Sequence, residues 1–303
     1  MIGWLIPCNE MEGEILNKAL TDNELEHLQN FIGYGRLDAD IWFLGFEEAG
    51  GDVNKLRDRL KFQQVEDCAE AQNILDLTPQ QFGEENLQGA WRGMCEIMLK
   101  LDNKKRTSAE EIQNYQIEQL GRSNGSTLLC ELMPIPVSGA SAWGYEAVIP
   151  QYASRAEYYA AVKPLRMELF TQLIRQHLPK LIIGYGQSAW PEYEQLFADF
   201  KLTESGQFML GWDANTVVIL SDHFSAEALN GNIDAAVALI HENSLSIETV
   251  KPSGPEPLSK AELARQKKEA AKQASAARRK PSAQHNPSDP YCVCAYCLGY
   301  ENS

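Results

Sequence analysis

The chain has 303 residues and 44% apolar content, enough to bury a substantial core in one large domain or two small ones. No apolar run approaches the ~20 residues of a membrane helix, and the start of the chain, with Glu10, Glu12 and Glu14, lacks the basic region of a secretory signal; a soluble, cytoplasmic, monomeric protein without a membrane partner is expected. The formal charge of −15 divides unevenly, because residues 251–303 hold nine Lys or Arg against five Asp or Glu, leaving −19 on residues 1–250. A body this acidic excludes a broad basic DNA-binding face, since Lys and Arg contacts to phosphate supply most non-specific affinity.

Residues 1–250 alternate between strand and helix patterns, which predicts a layered α/β domain around a mostly parallel sheet. Thr21 with Glu24 forms a capping-box start to a helix that should stop near Gly33 or Gly35. The apolar run 41–44 reads as a buried strand. The polar, helical stretch that follows is too long for a simple crossover and predicts a helical insertion or lid around residues 52–122, including Gly89–Leu101. Residues 127–132 form the second strand, which Pro134 and Pro136 should end. Ser154 and Glu157 cap a helix running to about His177, with a bend at Pro164. A third strand follows at 180–183. Gly184-Tyr185-Gly186 then opens a helix whose stripe of Ala189, Trp190, Tyr193, Leu196, Phe197 and Phe200 is read as core. A fourth strand at 217–220, the loop Ser221-Asp222-His223 and a helix at 233–240 complete the domain. Residues 251–290 are a basic, low-complexity linker without an apolar stripe, and 291–303 a cysteine-rich tail.

Ligands in open α/β sheets bind beyond the carboxyl ends of the strands, so Glu47, Glu48, Glu131 and His223 are expected to converge. The segment from Phe31 through Asp40 and on to Glu47-Glu48-Ala49-Gly50-Gly51, the strand leading to Pro136, and Ser221-Asp222-His223-Phe224-Ser225 together resemble the uracil-DNA glycosylase superfamily. The resemblance covers roughly residues 31–240. It implies a three-layer sandwich around a four-stranded sheet, with DNA as partner. It also implies an activity: a base is flipped from the helix and its bond to the sugar hydrolysed, leaving an abasic site. No cofactor is needed for that reaction. Ungapped matching from Gly45 makes Glu47 the water-activating carboxylate, whereas matching Ala49-Gly50-Gly51 favours Glu48; Glu47 is preferred. His223 would donate to the base and stabilise the departing anion.

Glu131 stands where uracil-specific members keep an asparagine. An ionised glutamate only accepts hydrogen bonds, which suits the exocyclic amine of cytosine and puts uracil in doubt. The base is therefore uracil or a modified cytosine, as attacked by antiviral glycosylases of this superfamily. Phe46, Met133, Trp143 and Tyr145 are candidates for the base pocket, with packing the alternative for the two aromatics. Gly186, Gln187 and Ser188 at a helix start, with Ser225, are candidates for DNA contact. Phe224 or Leu229 is a candidate wedge for the vacated stack. Of the seven cysteines, Cys8, Cys68, Cys95 and Cys130 contain no close pair, so no iron-sulfur cluster is expected. Cys292, Cys294 and Cys297 with His285 offer soft ligands for a structural zinc. Two further readings stay open: a non-catalytic module that binds modified DNA, and an acidic DNA mimic.

Overall fold

The capping box expected at Thr21 forms: the Thr21 backbone N–H donates to Glu24 at 2.7 Å and the Glu24 N–H to the Thr21 hydroxyl at 3.3 Å. It starts helix α1 (Asp22–Gln29). The computed structural model describes residues 18–77, 89–102, 107–138, 143–224 and 233–243. Strands β1 (Gly33–Gly35) and β2 (Ile41–Ala49) follow, then α2 (Val53–Asp58), a 3-10 turn (Arg59–Lys61), β3 (Val65–Glu66) and α3 (Cys68–Ile74). Next come α4 (Gly89–Leu101), α5 (Ala109–Glu118), β4 (Thr127–Val137), α6 (Arg155–His177), β5 (Leu181–Tyr185) and α7 (Trp190–Leu196). The remaining elements are β6 (Thr203–Ser205), β7 (Phe208–Trp212), β8 (Val217–Ser221) and α8 (Ile233–Asn243).

The protein is α/β, and its sheet has eight strands rather than four, in the order β3-β1-β4-β2-β5-β8-β7-β6. The four central strands are the expected ones and run parallel. Two additions widen them. On one side β1 lies antiparallel to β4. Its glycines read as helix stops in the sequence, yet they serve close backbone approach: a Cβ on Gly33 would lie 2.0 Å from the Leu129 carbonyl oxygen, and one on Gly35 2.1 Å from that of Thr127. On the other side the antiparallel hairpin of β6 and β7 turns through Gly206, at φ +63°, and pairs with β8.

Period-two alternation buries both faces of the central strands, as parallel sheets require. Ile41, Phe43, Leu129, Leu181, Ile183 and Ile219 join one apolar cluster with residues of α4, α5 and α8. Trp42, Leu44, Leu128, Ile182 and Val218 join another with α6, α7 and the Phe197–Phe200 turn. The stripe read as core is in this second cluster. The stretch expected as an insertion contributes α4, whose Met94, Cys95, Ile97 and Met98 are buried in the first cluster, so it forms a layer of the core.

β4 does not stop at its prolines. Met133 pairs with Glu47 and Val137 with Ala49, so the stretch bearing Pro134 and Pro136 is two residues longer than its partner and bulges. A bulge tolerates a missing ladder N–H, which is why the strand continues. Arg166 of α6, only 2% exposed, anchors this region through carbonyls: it donates to Leu132 at 2.9 Å, Glu131 at 2.9 Å and Gln29 at 3.1 Å. Among the described residues no helix is long and apolar enough to cross a membrane.

Candidate active site

The parallel strands end at one edge of the sheet, and the side chains there enclose a cavity of about 680 Å³, within the ~300–1,000 Å³ of typical small-ligand sites. Glu47 and Glu48 of β2, Glu131 of β4, Tyr185 of β5 and His223 after β8 line it. Gly50 and His223 are exposed, whereas Arg59, Cys68, Gln72 and Gln116 are buried, giving the cavity an open mouth and a closed floor. The four residues expected to converge on sequence grounds therefore do so.

Adjacent in sequence, the two β2 carboxylates are held differently. Glu48 has both oxygens engaged, Oε1 by Arg59 at 2.6 Å and Oε2 by the Tyr34 hydroxyl at 3.0 Å. Glu47 accepts from the Tyr159 hydroxyl at 2.6 Å and from Arg155, both on Oε2. Its Oε1 is buried without a hydrogen-bond partner among the described residues. Burial pushes the Glu47 carboxyl above its ordinary range, opposed by Tyr159 and Arg155. Of the pair, Glu47 keeps an oxygen for a further contact, which separates two candidates that spacing alone left close.

Glu131 fits because its neighbour across the β2–β4 ladder is glycine. Gly45 and Glu131 are register partners, and a Cβ on Gly45 would lie 2.1 Å from Glu131 Oε2. Oε1 accepts from the Tyr185 hydroxyl at 2.7 Å, and Oε2 is buried without a partner among the described residues. Burial pushes this carboxyl up to about 8, helped by nearby Glu48 and Glu47 and opposed by the Tyr185 hydrogen bond and Arg59. A carboxyl raised this far favours the neutral acid at neutral pH, in contrast to the ionised acceptor expected from the sequence. His223 lies edge-on to Tyr185 at 5.5 Å between ring centroids. Partial burial lowers its pKa against the pull of Asp222, so the imidazole is neutral at pH 7.

Arg59, 5% exposed, lies beside the rings of Phe31 and Phe62, 5.9 and 5.4 Å from their centroids. Its Nε and Nη1, like Gln116 Oε1, lack partners among the described residues. Buried polar atoms nearly always have one. Those of Glu47, Glu131, Arg59 and Gln116 belong to residues lining this cavity, whereas Thr216 Oγ1, the other such atom among the described residues, does not; their concentration here suits a polar ligand. Tyr34, Arg59, Arg155, Tyr159 and Tyr185, which hold the carboxylates, were not singled out in the sequence. Only Tyr185 carried a signal there, as the third member of the Leu181, Ile183, Tyr185 alternation.

Other expected site residues are placed in the core. Trp143 stacks on Tyr158 at 4.8 Å and donates its indole N–H to the Tyr152 carbonyl at 3.0 Å. Tyr145 donates to the Pro136 carbonyl at 2.7 Å. Met133 is fully buried among them, and Phe46 packs edge-on against Tyr159 at 5.5 Å. None of the four lines the cavity; their partners on β4 and α6 are distant in sequence, and that packing decides their place. Phe224 is no wedge: it is 6% exposed, packed against Phe43 and Tyr185, in space left by the missing side chain of Gly93. Gly186, at φ +96°, turns the chain so that Gln187 and Ser188 begin an exposed 3-10 turn outside the cavity lining. Ser225 and Leu229, the zinc candidates Cys292, Cys294, Cys297 and His285, and the basic linker lie outside the described residues. Cys68, Cys95 and Cys130 are buried free thiols. Neither a scan of protein-family models nor a search of curated proteins returns a match to this chain.

Proposed function

We propose that this protein is a DNA glycosylase that takes a flipped base into the cavity at the sheet edge and hydrolyses its bond to the sugar. The observation that carries this reading is the convergence of Glu47 from β2, Glu131 from β4 and His223 from the loop after β8 on one cavity with buried polar atoms that lack partners among the described residues. The parallel central strands with helices on both faces suit the uracil-DNA-glycosylase-like sandwich that the motifs resemble.

In this reading Glu47 is the general base. Its Oε2 is fixed by Tyr159 and Arg155, leaving Oε1 to take a proton from the attacking water. Neutral His223 at the mouth donates to the base as negative charge develops there. Glu48 has a different duty: it neutralises buried Arg59. The cavity, about 680 Å³, exceeds what an unmodified pyrimidine fills, which favours a base carrying a bulky modification. Exposed Gln187 and Ser188 would meet the DNA backbone beside the mouth, and the basic linker would supply the electrostatic attraction that the acidic body lacks.

The test is abasic-site formation on duplex and single-stranded oligonucleotides carrying uracil, cytosine, 5-hydroxymethylcytosine or its glucosylated form. Release from at least one, lost in Glu47→Gln, supports the reading. Binding to such DNA without release from any would instead make the protein a non-catalytic module.

A further inference from the structure

We propose that Glu131 is the proton donor to the leaving base, delivering the hydrogen on Oε2 to the ring nitrogen N3 of a cytosine-type base as the glycosidic bond breaks. This rests on the glycosylase reading and assigns Glu131 a step in it. Geometry carries the argument. Tyr185 engages Oε1, Gly45 opens the seat for the carboxyl, and Arg166 holds the Glu131 main chain. What remains is Oε2, buried, without a partner among the described residues and part of a side chain lining the cavity. Arg59 and Gln116, each at least nine-tenths buried and with atoms that lack partners among the described residues, line the same cavity and point independently to a polar ligand there.

The surroundings keep the proton in place. Glu47 and Glu48 face Glu131 from β2, Tyr185 from β5, Tyr193 from α7, Arg59 from the 3-10 turn, and Cys130 precedes it on β4. The carboxylates oppose a further negative charge. Arg59, the cation that pulls the other way, is committed to Glu48 at 2.6 Å. Raised to about 8, the Glu131 carboxyl therefore carries its proton at neutral pH.

The step balances. The electron pair of the bond between sugar C1′ and base N1 moves onto the base while N3 takes the proton from Oε2, so cytosine departs as a neutral tautomer and Glu131 becomes a carboxylate. Water adds its oxygen to C1′ and gives a proton to Glu47. Solvent exchange returns one proton from Glu47 to Glu131, and one water is consumed. Uracil cannot use this route, because its N3 already carries hydrogen and meets the Oε2 hydroxyl donor to donor.

Single-turnover base release tests the proposal between about pH 5 and about pH 9, on the derivative that wild type cleaves best among cytosine, 5-hydroxymethylcytosine and its glucosylated form. Wild type should lose rate about tenfold per pH unit above its alkaline pKa. Glu131→Gln, which keeps the shape but has no transferable proton, should be slower by about 100-fold in its maximal single-turnover rate with the half-saturating enzyme concentration little changed, and its alkaline limb should vanish. An unchanged half-saturating enzyme concentration, with a melting temperature near that of wild type, shows that the variant is folded. A variant within about threefold of wild type, or one that keeps the alkaline limb, overturns the proposal. Release of uracil alone overturns it while the glycosylase reading stands; release of no base from any substrate sinks the glycosylase reading itself.

Discussion

Replacing Glu131 with glutamine should change how stability responds to pH, independently of any catalysis. Burial, reinforced by Glu48 and Glu47, raises this carboxyl from its ordinary 4.5 to about 8. Between those values the folded protein holds a proton that the unfolded chain has released, so stability declines as pH rises. The contribution is complete below the unfolded value and gone above the folded one. Each unit is worth about 1.4 kcal/mol, so between about pH 5 and about pH 8 wild type should lose about 4 kcal/mol that the amide variant keeps. Any fixed cost of burying the amide cancels in that difference. Urea unfolding of the two proteins at both pH values measures it. Parallel pH dependences, within about 1 kcal/mol, would refute the burial argument and with it the neutral state of Glu131.

Glu47→Gln and His223→Ala should each reduce base release by about 10² to 10³-fold while leaving the melting temperature near that of wild type, as read by abasic-site formation and thermal unfolding. Glu48→Gln should act mainly on stability, costing about 2 to 3 kcal/mol in denaturant melts; the one-third exposure of Glu48 keeps this below the cost of breaking a fully buried pair. Gly45→Ala puts a methyl group into the Glu131 carboxyl. It should destabilise by about 1 to 3 kcal/mol and reduce base release, whereas an unaffected variant would mean that the seat is not tight. Removing residues 251–303 should weaken DNA affinity with a shallower salt dependence and abolish any bound zinc, measured by titration at two salt concentrations and by metal analysis.

What the sequence disclosed was what lies along single strands. The runs at 41–44, 127–132, 180–183 and 217–220 became the four central strands because their apolar residues face both layers, and the acids and histidine at their ends reached the cavity by the same geometry. Hidden were the partners fixed by tertiary contact. Arg59 sits in a charged run from Lys55 to Lys61 that looks solvated, and only its pairing with Glu48 and its seat against Phe31 and Phe62 draw it inside. Gly33 and Gly35 carry the ordinary mark of a helix end, and nothing local says that they instead let β1 approach β4. Trp143 and Tyr145 sit beside small residues, as a stacking platform would, yet Tyr158 and Pro136 claim them.

Arg166 carries a consequence for the order of assembly. Buried on α6, it grips carbonyls of Glu131, Leu132 and Gln29, segments more than thirty residues away in the chain. The middle of β4 is therefore tied to α6 and to the end of α1, and its final position is expected to depend on their docking. Until then Glu131 faces water, where a carboxyl is ionised at neutral pH. A half-folded chain would thus hold no acidic proton to deliver, and native-state hydrogen exchange should find the amides around Glu131 opening together with α6 rather than with the sheet centre.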